Sequence, residues 1–510
     1  MKNLNLTQEP DIEALAFRRQ FLLAQEPQAS NRHWNVLTLP NEMFLSIHFE
    51  LEHVIQIQNN VCIVLLGNVV DPHHPTRSTE LITADLLEHF VDMELLFERS
   101  KSLCGRWVLI CIKEGLSRIF TDPCGFRTVF YCKNETQTWC ASQPELLRTQ
   151  MELRLRTDPV FLDYTNNQLQ ASNEFAWVGD ETIYEGCYHL LPNHYLDLEN
   201  GTPIRFKLQS LLPILDENEA LDRACGILQG TIEALSYRHK LSLPLTAGWD
   251  SRVLFAASRN FKDQIYYFVY QQNDMKMTHP DIVVAQAIAL ETGVSFDVKN
   301  PSEDLPEWFL KLLAKNVTGA RYLSKTHSIY QCFLDSSNRI TLNGNGSEIC
   351  RNQFDKYARK NQSSLQIHEL AACLYGQSNN TPYVEAQLEK WLADLGEISS
   401  SGFALLDYMY WEQRIGNWGA QFPAEQDVAC EEISPFNNRE LLEILIAFPK
   451  NDRIAPDFKL YKKLIQRMWP ELLDFPINPH YYTRYTKIKQ RLRKAVPKRA
   501  ESSIRKFLRT

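Results

Sequence analysis

Thr246, Ala247, Gly248, Asp250 and Ser251 form a run whose residue types could hold a nucleotide phosphate. They stand between an apolar stretch, 241–245, that reads as a buried strand, and 251–259, where Val253, Leu254 and Ala257 recur at helical spacing. A strand, a tight turn and a helix starting there place unpaired N–H groups and the positive end of a helix dipole at one point, which favours an anion. Asp250 could hold Mg2+ and Ser251 could donate to a phosphate oxygen. Taken alone, the stretch fits equally an ordinary strand-to-helix connection with Asp250 as its N-cap.

The elements around it must make a sheet that presents this turn. Residues 265–270 (I-Y-Y-F-V-Y) read as a second buried strand, 280–292 as a helix with Ile282, Val283, Ala285, Ala289 and Leu290 on its apolar face, and 215–237 as a long helix leading in. Strand and helix alternating at these lengths imply a doubly wound parallel sheet, with ligands at the carboxyl ends of its strands. Residues 339–347 (R-I-T-L-N-G-N-G-S) are another strand feeding a glycine-rich turn, and 405 onward is helical. Earlier in the chain, 43–51, 54–66, 107–112, 118–121, 128–131 and 138–141 read as strands, and 79–97 as a helix. Short strands around Gly and Asn turns suggest an antiparallel sheet.

T-A-G-W-D-S (246–251) resembles the S-G-G-x-D-S pyrophosphate loop of the asparagine synthetase family, with Thr246 and Ala247 in place of Ser and Gly. Four segments of the first half resemble, in order, motifs of a class II glutamine amidotransferase domain: 105–112, 121–131 (T-D-P-C-G-F-R-T-V-F-Y), 139–147 and 184–198. In the second half, 339–347 and Glu348 resemble the S-G-E-G-x-D-E segment, and 435–448 and 458–470 resemble two later helices.

The resemblance implies an Ntn-type α+β sandwich over 1–210 and an adenine-nucleotide α-hydrolase-like synthetase with a helical C-terminal part over 211–480; composition sets off 481–510 as a basic amphipathic tail. It implies ATP and Mg2+, and activation of a small-molecule or peptide carboxylate as an acyl-adenylate that an amine then displaces. By the same resemblance Leu245, Gly344 and Val269 (or Tyr270) contact adenosine. Thr246, Ala247, Gly248 and Ser251 hold pyrophosphate, Asp250 and Glu348 hold the metal, and Lys459 or Lys462 supplies a cation over the leaving group. The two lysines fit a solvated helix face as well.

Two departures matter. The family's glutaminase uses an N-terminal Cys, but Lys2 stands there and the first cysteine is Cys62, so glutaminase activity is expected to be absent. Asn345 occupies the catalytic Glu position, and a neutral amide is no base. The amine is then free ammonia or part of a substrate, as in the β-lactam synthetases and lasso-peptide cyclases. A degenerate nucleotide-binding scaffold and a tRNA- or base-modifying ATP pyrophosphatase are the rival readings.

Composition sets outer limits. With 510 residues, 44% hydrophobic, the chain can bury two or three cores. Its longest apolar run, 61–70, is too short for a membrane helix. Twelve cysteines without metal spacing, and a start lacking an apolar segment, point to a reduced, cytoplasmic protein with no structural metal. The net charge of −8 divides into +10 over 484–510 and −18 before it, which argues against nucleic acid as a partner of the body. The basic tail reads either as a solvated end or as an interfacial anchor for an anionic leaflet.

Overall fold

A computed structural model describes residues 10–28, 32–135, 137–168, 176–207, 210–211, 213–214, 216–272, 275–301, 304–319, 324–335, 338–351, 353–354, 365–375, 381–396, 398 and 401–479. Lys2 and the basic 484–510 tail therefore lie outside the described residues. The chain is a mixed α/β protein. An antiparallel double sheet comes first, followed by a doubly wound parallel sheet and a helical C-terminal part.

One six-stranded sheet runs Cys187–His189, Phe130–Lys133, Thr138–Ala141, Phe21–Ala24, Met43–His48, Trp34–Leu39. The other runs Thr202–Arg205, His194–Asp197, Leu116–Thr121, Cys104–Lys113, Val61–Val70, His53–Gln58. Their facing sides share Leu23, Leu45 and Ile47 with Val64, Leu66 and Ile110, all fully buried. The alternation along Val61–Val70 supplies both sides, because Ile63 and Leu65 point away onto the helices Thr79–Glu88 and Met93–Ser100. The single helix expected over 79–97 is thus two, and Asp92 caps the second by accepting from the Leu95 N–H at 2.8 Å. The stretch expected as one strand from 54 to 66 is a hairpin, reversed at Asn59 and Asn60 with φ of 50° and 63°. Asn tolerates that left-handed backbone better than most residues.

The parallel sheet has the spatial order Phe296–Lys299, Tyr266–Tyr270, Lys240–Pro244, Arg339–Leu342, Glu432–Ile433. Every pairing in it is parallel. The chain order reverses between Lys240–Pro244 and Arg339–Leu342, so the carboxyl ends of those two strands frame the crevice in which such sheets take ligands. Helix Trp249–Ala257 buries Val253, Leu254 and Phe255, and helix Pro280–Thr292 buries Ile282, Ala285 and Ala289. Val283 and Leu290, expected on the buried face of the latter, are exposed, at 44% and 85%.

The halves are not independent bodies. Phe309, Leu312 and Ile329 of the second half complete a core with Leu22, Trp139 and Leu146 of the first. Beside that core, Arg106 binds Asp427 in bidentate fashion at 2.6 and 2.7 Å, and Arg127 pairs with Glu431. Among the described residues no helix is long and apolar enough to cross a membrane.

Candidate functional site

The turn after Lys240–Pro244 is built from its own side chains. Thr246 Oγ1 lies 2.8 Å from Ser251 Oγ, and that hydroxyl accepts from the Thr246 N–H at 3.2 Å. The Gly248 N–H donates to Thr246 Oγ1 at 3.1 Å, and the Ala247 N–H to Asp281 Oδ1 at 2.9 Å. The loop amides at 246–248 thus all have acceptors, two within the turn and one on helix Pro280–Thr292. The helix that follows, Trp249–Ala257, has no side-chain cap, which leaves its first turn as the anion-facing end.

Across the crevice, the turn after Arg339–Leu342 brings Gly344, Asn345, Ser347 and Glu348 to the same place. Gly344 passes so close that an added Cβ would stand 2.5 Å from Asp250 Cβ, which explains a glycine there. Asp250 Oδ1 accepts from Ser347 Oγ at 2.7 Å, and its Oδ2 from Arg351 Nη2 at 2.9 Å. The same guanidinium lies 3.4 Å from Glu348 Oε1. Glu348 Oε2 has no partner among the described residues. Burial raises the Glu348 pKa and the Asp250 charge adds to the rise, while Arg351 opposes it.

Two carboxylates, one with an orphaned buried oxygen, share a single guanidinium. That donor set fits a divalent cation, which prefers carboxylate oxygen and would relieve the repulsion.

These groups border a cavity of about 470 Å3, lined by Thr246, Gly248, Asp250, Ser251, Val269, Gly344, Asn345 and Glu348. Sequence-predicted Leu245 and Ala247 are buried beneath it, 0% and 1% exposed, and hold the turn in place. Leu245 does so by donating its N–H to Phe268 O at 2.9 Å.

Lys459 and Lys462 are not brought to the cavity. They stand on the exposed side of helix Lys459–Met468, whose buried side carries Leu460, Tyr461 and Leu464. Tyr461 instead ties that helix to the site by donating its hydroxyl to Ser347 O at 2.8 Å. The cation that does reach Asp250 is Arg351, one short turn beyond Glu348, and that spacing was readable in the sequence.

Asn345 is spent on structure. Its Nδ2 donates to Gly419 O at 2.8 Å, and its backbone carbonyl accepts from Ser434 Oγ at 2.6 Å. Besides Asp281 and Lys325, the cavity is lined by Glu432, which reaches it from the neighbouring strand and accepts from Asn343 Nδ2 at 2.9 Å. Burial pushes its carboxyl up to about 7. Nothing local marked Glu432, because a strand 89 residues farther on, measured from Asn343, delivers it.

The motifs of the first half meet this site from below. Asp122 accepts from the N–H groups of Phe126 and Arg127 at 2.9 and 2.8 Å, and from Asn437 Nδ2 at 2.7 Å. Cys124 and Phe126 pack under Gly346, where an added Cβ would lie 3.1 Å from Cys124 Sγ.

A scan against family models finds no match, and no curated protein matches. Among solved structures, an NH3-dependent NAD synthetase from Campylobacter jejuni is 12% identical with a TM-score of 0.20, over 34% of this chain and 93% of that one. An NMN synthetase from Francisella tularensis is 14% identical with a TM-score of 0.19, over 39% and 93%. A glutamine phosphoribosylpyrophosphate amidotransferase from B. subtilis is 11% identical with a TM-score of 0.21, over 61% and 66%. Overlaps of this size carry no argument, so the site is argued from this chain alone.

Proposed function

We propose that this chain is an ATP-dependent C–N ligase of the asparagine synthetase type, which activates a carboxylate as an acyl-adenylate and releases pyrophosphate and AMP. The observation that carries this reading is the crevice between the strands Lys240–Pro244 and Arg339–Leu342. An uncapped helix N-terminus, Asp250 and Glu348 converge there on one cavity. The 1–210 amidotransferase-like part, the 211–480 synthetase part and the 481–510 tail are the divisions that go with it.

In this reading the substrate carboxylate oxygen attacks the α-phosphorus and the bond to pyrophosphate breaks. The first turn of Trp249–Ala257 and the Ser251 hydroxyl donate to the phosphates. Val269 and Gly344 shape the adenosine side, with Leu245 buried behind the turn. Asp250 and Glu348 would hold Mg2+, which supplies positive charge for the departing pyrophosphate. Arg351 keeps the two carboxylates in register and adds a fixed charge behind them. The amine nitrogen then attacks the acyl carbon, AMP leaves, and the ionised form of Glu432, whose carboxyl burial pushes up to about 7, takes the proton.

Every cysteine of the first half, Cys62 to Cys187, is buried. Burial pushes the Cys62 thiol up to about 11 and that of Cys104 up to about 12. Neither resembles an activated nucleophile, which supports an amine drawn from ammonia or from a substrate, including an intramolecular one.

One observation favours the rival scaffold reading. The loop amides and both Asp250 oxygens already have protein partners. Calorimetric titration with ATP and Mg2+ separates the two. The ligase binds saturably, and Asp250→Asn weakens binding at least tenfold with the fold intact. Absence of saturable binding, or indifference to Asp250→Asn, overturns the reading.

A further inference from the structure

Twelve cysteines run through this chain, and Cys332 alone among them is not buried. It stands on helix Ser324–Asp335, which turns Lys325, Ser328 and Cys332, three and four residues apart, onto the wall of the cavity of about 470 Å3. Cys430 lines the same cavity from the segment that leads into strand Glu432–Ile433. Its sulfur lies 3.6 Å from Thr341 Oγ1 and 4.0 Å from Gln426 Oε1, both residues of the cavity wall.

The two thiols are neighbours, and they are not equivalent. The hydrogen bond from Cys430 is the largest influence on the Cys332 thiol and lowers its pKa; burial and the Glu432 charge oppose it, and the Tyr270 hydroxyl adds a second donor. The same hydrogen bond, together with burial, pushes the Cys430 thiol up. Cys332 is therefore the nucleophile of the pair, and Cys430 keeps its proton. Elsewhere burial dominates and raises the thiols, as at Cys124, Cys140 and Cys350.

The thiolate is the attacking form of cysteine, and a thiol beside it can resolve the oxidised product. A structural zinc would need further ligands around the pair. Among the described residues the group that could hold a metal is a different set, Asp11, Glu13 and His33.

We propose that Cys332 and Cys430 are a modification site in the cavity wall, a dithiol that a peroxide closes to a disulfide. The Cys332 thiolate attacks one peroxide oxygen, the O–O bond breaks, and the hydroxide released takes up the proton that the thiol gave. The Cys430 sulfur then attacks the Cys332 sulfur, and the sulfenic hydroxyl leaves with the Cys430 proton as a second water. Two thiols are oxidised to one disulfide, and one peroxide is reduced to two waters. The crosslink ties helix Ser324–Asp335 to the strand that carries Glu432. It does not depend on the ligase reading, in which neither sulfur has a part.

The test treats the reduced full-length chain with one equivalent of hydrogen peroxide, alkylates the remaining thiols and maps the digest by mass spectrometry without reductant. A peptide pair joined through Cys332 and Cys430 is expected as the main oxidised product, lighter by two hydrogens and reversed by dithiothreitol. Cys430→Ser should leave Cys332 as a sulfenic acid that dimedone traps. Should that variant fail to fold, the parent chain still decides: its Cys332 should react with iodoacetamide at least tenfold faster than Cys140. The proposal is overturned by a crosslink between other cysteines, by oxidation that leaves Cys332 uncrosslinked, by a folded Cys430→Ser variant without a dimedone adduct, or by a Cys332 no faster than Cys140.

Discussion

The two halves of this molecule use the same kind of sequence punctuation, a short polar turn after an apolar strand, to opposite ends. In the first half, Asp122 at the 121–127 turn is consumed by backbone amides and Asn437, and Arg127 and Arg106 are consumed by Glu431 and Asp427. In the second half, the turns after Lys240–Pro244 and Arg339–Leu342 leave Glu348 Oε2 without a partner among the described residues, and burial pushes the Glu432 carboxyl up to about 7 beside a 470 Å3 cavity. Burial with every charge paired makes a strut. Burial with partners missing beside a cavity makes a candidate site.

The largest expected effect falls on the strut. Arg127→Leu leaves Glu431 and Asp427 enclosed with only Arg106 and the longer Arg19 contact as countercharge, and should cost about 3–5 kcal/mol in denaturant unfolding. A loss below about 1 kcal/mol would remove the contrast between the halves.

The next falls on the site. Glu432→Gln should lower amide formation at least tenfold and abolish the rise in rate as pH climbs through about 7. It should also alter stability in a fixed direction. Because the folded state holds this proton above the ordinary carboxylate range, the native protein loses stability as pH rises from about 4.5 toward 7. The variant should lack that decline and melt on the order of 1–2 °C higher above pH 7. A pH–rate profile unchanged by the substitution would place the base elsewhere.

The smallest effect belongs to the exposed lysines, where Lys459→Ala and Lys462→Ala should each change the rate less than about threefold. A loss of two decades from either would restore the lysine to the pyrophosphate and displace Arg351. With glutamine as the only nitrogen source, no glutamate above blank is expected, since the first-half thiols are buried. Glutamate release blocked by thiol alkylation would contradict that.

Local pattern made part of this legible. The turn at 246–251, the strand 138–141 and the helix 280–292 lie where periodicity and capping residues place them, because each is decided within one short window. Arg351 lay within reach of the same logic, three residues from Glu348. Glu432 did not, since its two-residue strand acquires meaning only by pairing with Arg339–Leu342. Asn345 shows the reverse case: its position suggested catalysis, and its hydrogen bonds to Gly419 and Ser434 give it a structural task. Long-range pairing decides both.

The most direct test of the central claim is isotope exchange between pyrophosphate and ATP across a panel of carboxylic acids. The account predicts exchange that requires both Mg2+ and a particular acid, and that falls at least a hundredfold in Asp250→Asn, a barrier increase of about 2.7 kcal/mol. No exchange with any acid, or exchange that survives Asp250→Asn, would contradict it.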